Sequence, residues 1–463
     1  MLNFPNTITS KSALILILIV TAVIVVESSI VKFVAYSNKE LPTPVYVSIF
    51  IAFSIMFVGI VYVVLRFINI KHSSSGLIRG MTMKSYYLTL TVTQYSLIGI
   101  LGITILQILL FKSYSIFSLL SAIYISHIIA ILFLFFLILK LVDWIMTRKN
   151  RVLSLYAISF TLMALTIMTS LIYGTFTLYS HSPLIKQYPI HVFLYSLPRS
   201  ELASSFGILL DVISLLSFVL VWVATAMLFG TYRRKMGNIK YWIIMAIPLV
   251  YFLFPFETYL PNMFEPFDLS MILSGVIKVS FFSATKQIGA LLFSLTFWVS
   301  ATLISKSEVQ RYMLISAVGM AMLFSSIEID SLLYAVYPPF GLITILFMPL
   351  GAYMLFTGIY LSSTHVARDK DLRKEFYKTA VSQLDLLRII GVTQMENELM
   401  KVHKSIDKSK RSLKTNEPNL SKDHVREALD EILNEMDKDS VREILHDVLT
   451  DVYSNAKRNP KKS

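Results

Sequence analysis

The chain has 463 residues, of which 55% are apolar and only 15% charged, and its mean hydropathy is +0.66. An ordinary soluble globular protein carries about 25% charged residues, so a soluble enzyme is a poor fit to this composition. Cysteine is absent, which excludes disulfides, thiolate metal sites, the usual Fe–S clusters and Cys nucleophiles; the net charge of +13 admits nucleic acid, an anionic membrane surface or sidedness as its cause.

Met1 to Ser12 leads into a long apolar run without an Ala-x-Ala cleavage pattern, which reads as a retained first span and not a cleaved signal peptide. A helix crossing about 30 Å of hydrocarbon needs about 20 largely apolar residues. Ten segments meet that test: Ala13 to Val31, Val45 to Val64, Tyr86 to Leu110, Ile116 to Leu139, Val152 to Leu178, Phe206 to Phe229, Tyr241 to Phe256, Ser283 to Ile304, Tyr312 to Ile327 and Phe340 to Leu361. The seventh and ninth are short, which leaves nine spans or a re-entrant segment as alternatives. The expected fold class is all-α: a polytopic α-helical membrane bundle of about ten spans, with a small helical tail.

Basic residues are retained on the cytoplasmic side of a membrane, while acids have little influence on orientation. Alternate connections are basic: Arg66, Lys71, Arg79 and Lys84; Lys140, Arg148, Lys149 and Arg151; Arg233, Arg234, Lys235 and Lys240. With Lys11, Lys306 and Arg311, that face holds 15 basic residues against the two acids Asp143 and Glu308, whereas the opposite face holds seven basic residues and nine acids. The bias places both termini in the cytoplasm of a cell-membrane protein. Because the charge follows topology and forms no contiguous basic domain, nucleic acid is not an expected partner.

After Leu361 the composition turns from apolar to charged, and the membrane domain is assigned to residues 1–362. Residues 363–407 read as juxtamembrane amphipathic helices: Phe376, Ala380, Leu384, Leu387 and Gly391 recur at helical spacing, with Gly391 as a stop. Thr393 and Glu396 then form a capping box for a second helix striped by Met395, Leu399, Val402 and Ile406. Residues 408–420 form a polar linker. Residues 421–463 contain a repeat at a spacing of 16 residues, Asp423 to Leu429 echoed by Asp439 to Leu445, which predicts a helical hairpin. A hairpin of that size needs something to pack on, so a protein partner or self-association is expected of the tail, beside the lipid bilayer as partner of the spans.

The run Tyr337-Pro338-Pro339-Phe340-Gly341-Leu342, the Gly351 to Leu361 end of the last span, and Leu387 to Met400 with Ile390-Gly391-Val392-Thr393-Gln394-Met395-Glu396 resemble a group of uncharacterised polytopic membrane proteins of ammonia-oxidising archaea. The resemblance covers about the last quarter of the membrane domain and the first tail helices. It implies a lineage and no catalytic residues, since no activity is assigned to that group.

Ionisable residues inside spans are costly and are the first functional candidates. Here they are Glu27, His127 and Asp211. Glu27, with Lys32 five residues on, reads either as a functional acid or as half of a snorkelling interfacial pair, and His127 as a relay, a haem ligand or a hydrogen-bonded core residue. The outer connections mix carboxylates, His and aromatics: His181 and His191; Glu257, Glu265 and Asp268; Glu328 and Asp330. Such a mixture suits a cation, but metal-ligand spacing is absent, and acids and aromatics also collect at an outer interface for topological reasons. Pro349 and Gly351 form a candidate hinge in the last span, which leads directly into the tail.

No nucleotide-binding or hydrolytic motif occurs, neither G-x-x-x-x-G-K-[ST] nor G-x-G-x-x-G, H-E-x-x-H or G-x-S-x-G, so no enzyme activity and no cofactor are expected. The function expected from these features is a non-enzymatic sensor or signalling scaffold coupling the membrane domain to a cytoplasmic tail. A secondary transporter or channel-like permease, or an accessory subunit of a membrane complex, are the alternatives.

Overall fold

The computed structural model describes residues 10–36, 43–74, 81–147, 149–179, 184–186, 201–230, 233, 237–249, 271–304, 308–327, 337–368 and 390–397. Helices dominate it: α1 (Ser10–Tyr36), α2 (Thr43–Ser74), α3 (Met81–Phe111), α4 (Ile116–Thr147), α5 (Arg151–Tyr179), α6 (Glu201–Phe229), α7 (Asn238–Ala246), α8 (Met271–Thr302), α9 (Glu308–Ser326), α10 (Leu342–Leu346) and α11 (Met348–Arg368). A short helix, α12, occupies residues 390–397. Hydrocarbon offers no partner for an open backbone, so each apolar run satisfies its N–H and C=O groups along its own axis.

The protein is a multi-pass helical membrane protein. Among the described residues, seven helices are long and apolar enough to cross a membrane: Ser10–Ile30, Thr43–Arg66, Met83–Phe111, Ile116–Thr147, Arg151–Leu178, Ser205–Phe229 and Leu342–Ala367. The three other expected spans are not among those seven. Tyr241 to Phe256 begins as the nine-residue α7 followed by a single tight turn, and its end lies outside the described residues. α8 has 32 residues, of which Gln287–Thr302 is an apolar helix among the described residues, and the 19-residue α9 opens on Glu308 and Arg311.

The bundle pairs α5 with α6 and α8 with α9, lays α1 against both α8 and α9, and stacks α3 on α4 and α4 on α5. Trp298 donates its indole N–H to the Ser10 carbonyl at 2.8 Å, tying the start of α1 to the end of α8. Two short strands, β1 (Ser113–Ser115) and β2 (Leu184–Lys186), pair antiparallel with Tyr114 opposite Ile185, and join the α3–α4 and α5–α6 connections. Phe117, Leu110, Ile55 and Leu88 are among the large apolar side chains left exposed on helix surfaces, as lipid-facing residues are.

The last span is enclosed. Every residue in the apolar window of Leu342–Ala367 is buried, whereas the other six spans bury half of theirs or less. Close packing against α9 accounts for part of this. A Cβ on Gly351 would lie 2.7 Å from the Leu323 nitrogen, one on Gly319 of α9 would lie 2.9 Å from the Gly351 oxygen, and one on Gly358 would meet the Tyr312 carbonyl at 2.6 Å. The two helices therefore touch backbone to backbone, as small residues permit in membrane interiors.

Two compact units divide the chain, and Ser363, within α11, begins the second. In that unit α12 lies against the end of α11, with the Cβ direction of Gly391 falling on the Val366 side chain. Ile390, Val392 and Thr393 are buried. Gly391 thus lies inside a helix where the sequence suggests a stop, and Thr393 is an interior residue, not a cap. The reason is packing: a glycine admits a close neighbour as readily as it ends a helix. The linker and the helical hairpin at residues 408–463 lie outside the described residues.

Candidate functional site: a carboxylate at the head of the last span

α1 reaches Glu27 near the end of its apolar window, and the side chain turns inward with no exposed surface. Its Oε1 accepts the Gly341 N–H at 2.8 Å and its Oε2 accepts the Thr344 hydroxyl at 2.7 Å; the Thr344 N–H also faces it. These donors belong to the first turn of α10, whose leading N–H groups have no partner within the helix. Glu27 therefore caps α10 from another element, 314 residues away in sequence. Among the described residues no cation pairs with it. Donors converge on both oxygens, a pattern suited to a carboxylate and unsuited to a metal ion, which would need further acceptors.

Gly341 makes that approach possible. Its φ of 85° is left-handed, a conformation glycine adopts without the clash a Cβ brings. The turn before it, Tyr337 to Phe340, is packed by aromatics: Tyr337 stacks on Tyr114 of β1 with centroids 6.2 Å apart, and Phe340 meets Phe50 of α2 edge-on at 5.9 Å. Burial raises the Tyr114 hydroxyl well above its ordinary range and raises that of Tyr337 as well.

The helix pauses at Phe347, between α10 and α11. Pro349 lacks the N–H that would bond the Ile345 carbonyl one turn back. Ser126 of α4 supplies the missing donor, its hydroxyl reaching the Ile345 oxygen at 2.6 Å. Phe57 of α2 packs on Phe347 at 4.8 Å, and below it Phe133 and Phe136 of α4 and Tyr86 of α3 surround Tyr353 and Phe356. The candidate hinge residues thus lie at a break whose freed carbonyl has a new partner, and Gly351 is the contact with α9.

The other sequence candidates separate from this site. His127 is fully buried on α4, with Nδ1 2.8 Å from the Ile123 carbonyl and Nε2 3.2 Å from the Ser170 hydroxyl of α5. Asp211 lies on an exposed face of α6. Glu27 does not snorkel outward, because its two oxygens are engaged within the bundle. His181, His191, Glu257, Glu265, Asp268, Glu328 and Asp330 lie outside the described residues. The sequence marks Glu27 and Pro349 as candidates and does not mark Thr344, Ser126 or Ser170. Only the orphan carbonyl that a mid-span proline leaves signals that a donor such as Ser126 must exist.

Among the described residues no group of three His, Asp or Glu is placed to hold a metal ion. No family model, no curated protein and no solved structure matches the chain.

Proposed function

We propose that this protein is a non-enzymatic membrane sensor or signalling scaffold in which the last span is the moving part. In this reading the chain sits in the cell membrane with both termini cytoplasmic, its outer loops and bundle respond to a ligand or to the membrane, and its tail engages a protein partner or a second copy. The observation that carries the reading is the enclosed last span, capped at its head by Glu27, interrupted at Phe347 and running unbroken from Met348 to Arg368 into the second unit. Coupling between distant sites requires an element with two arrangements, and a helix with a weak point and a remote cap is where this reading locates it. The resemblance to archaeal polytopic proteins lies in these same segments, Tyr337 to Leu342 and Leu387 to Met400, and the lineage it implies belongs to this proposal.

The experiment is limited proteolysis of the tail in the full-length protein in lipid vesicles, comparing wild type with Glu27→Gln and Pro349→Ala. Coupling predicts a severalfold change in tail cleavage for both variants, at positions far from either substitution. Identical cleavage in all three chains overturns the reading. One observation favours a second reading, a transporter: an interrupted span beside a buried carboxylate is how many transporters build their midplane sites. Substrate uptake that survives removal of residues 363–463 and fails in Glu27→Gln would decide for it.

A further inference from the structure

α5 carries a line of polar side chains through an apolar interior. Tyr156, Ser159, Thr166 and Ser170 share one face, and each is 2% exposed or less. α6 sets Ser217 and Thr225 beside them, also buried. The buried Tyr156 and Thr225 hydroxyls face each other across the seam. One turn on, Ser159 and Ser217 each donate to the other's backbone carbonyl, at 3.0 and 3.1 Å. Next comes a cavity of about 20 Å³ lined by Thr166, Ser214 and Ser217 together with Met163, Phe218 and Phe324. That is room for one water, and three hydroxyl side chains are there to hold it.

The line ends on His127. Its Nδ1 contacts the Ile123 carbonyl, which can only accept, so Nδ1 carries the hydrogen and Nε2 of the neutral ring is an acceptor. The Ser170 hydroxyl must then donate to Nε2, leaving its own oxygen to accept from the Thr166 side. Helix packing explains a hydroxyl bonded to the carbonyl one turn back, as Thr166 is to Leu162. It does not explain a water-sized cavity edged by three hydroxyls and a histidine on one line.

We propose that the α5–α6 seam is a hydrated hydroxyl file that brings water to His127 and exchanges protons with its Nε2 from the membrane end at which α5 begins. A proton passed from water to the Ser170 oxygen releases Ser170's own hydroxyl proton to Nε2, and the imidazolium returns it by the reverse path. The titratable groups along the file are His127 on α4 and Tyr156 on α5; Asp211 of α6 lies on an exposed face.

A chain without cysteine gives a thiol probe no background. Thr166→Cys, Ser214→Cys and the lipid-facing control Met168→Cys, each in the full chain in lipid vesicles, are treated with a small polar methanethiosulfonate. Because the reactive species is the hydrated thiolate, the two file positions should react at least about tenfold faster than the control. Equal rates at all three overturn hydration; Thr166→Cys and Ser214→Cys stand independently should one fail to fold. The second measurement is deuterium incorporation at the imidazole C2 of His127 in heavy water, read by peptide mass spectrometry. His127 should exchange measurably within the experiment, and Thr166→Val should slow it severalfold. No exchange in wild type, or exchange indifferent to Thr166→Val, overturns the file.

Discussion

At the scale of single residues, the cap on α10 and the glycines of α11 make opposite demands on substitution. Glu27→Gln keeps the shape of the side chain but turns one oxygen into an NH₂ beside the Gly341 and Thr344 backbone N–H groups, which can only donate, so that only the Thr344 hydroxyl can turn to accept from it. A buried polar group left unsatisfied costs about 1–3 kcal/mol, and thermal unfolding in detergent should report a loss of that order. Thr344→Val in the Glu27→Gln background should add less than it costs alone, because the two substitutions break one network. Gly358→Ala should destabilise, since its Cβ would lie 2.6 Å from the Tyr312 carbonyl and α9 must move. Gly99→Ala, with nothing within 4 Å of its Cβ position, should be neutral or stabilise by up to about 1 kcal/mol. Tyr114 adds a pH dependence with a defined sign. Burial raises its folded-state pKa above the ordinary value of 10.0, so its contribution is whole below that pH and is lost as pH rises toward the folded value. Tyr114→Phe should flatten the alkaline fall in melting temperature.

At the scale of elements, the interruption at Phe347 is the feature that the sequence half discloses. Pro349 is legible as a kink because proline removes a donor at a known position. What takes its place is not legible, since Ser126 is 219 residues away and nothing local marks it out from the other serines of the spans. Ser126→Ala should cost about 1–2 kcal/mol by stranding the Ile345 carbonyl. In a Pro349→Ala background, where the backbone N–H at position 349 can reach that carbonyl, the same substitution should cost little; a double-mutant cycle on urea or thermal melts measures the difference. Long apolar runs were readable for the opposite reason: a membrane helix satisfies its own backbone, so length and hydropathy suffice. Neither tells which face of a uniformly apolar helix is buried, and so Gly319 and the α5–α6 serines were invisible. Glu27 stood out by its cost in hydrocarbon, but its partners, on a turn that begins with Tyr337, did not.

At the scale of the whole molecule, the net charge of +13 and the arrangement of helix ends make one joint statement about topology. α4 ends at Thr147 and α5 begins at Arg151, so Lys149 and Asn150 sit in a tight turn; α6 ends at Phe229 and α7 begins at Asn238. These are the connections in which the basic residues gather. The strand pair β1–β2 joins the α3–α4 and α5–α6 connections, which therefore lie at one end of the bundle, and α4 and α5 each run its length from there to the Lys149 turn. If lysine and arginine set orientation, the Lys149 turn and Gly237 face the cytoplasm and β1 and β2 face outward. Two single-cysteine variants of this cysteine-free chain test that: Asn150→Cys should react with an impermeant thiol reagent only after the membrane is opened, and Ser113→Cys should react in intact cells. The reverse pattern would invert the membrane domain and overturn the placement on which a cytoplasmic partner for the tail depends.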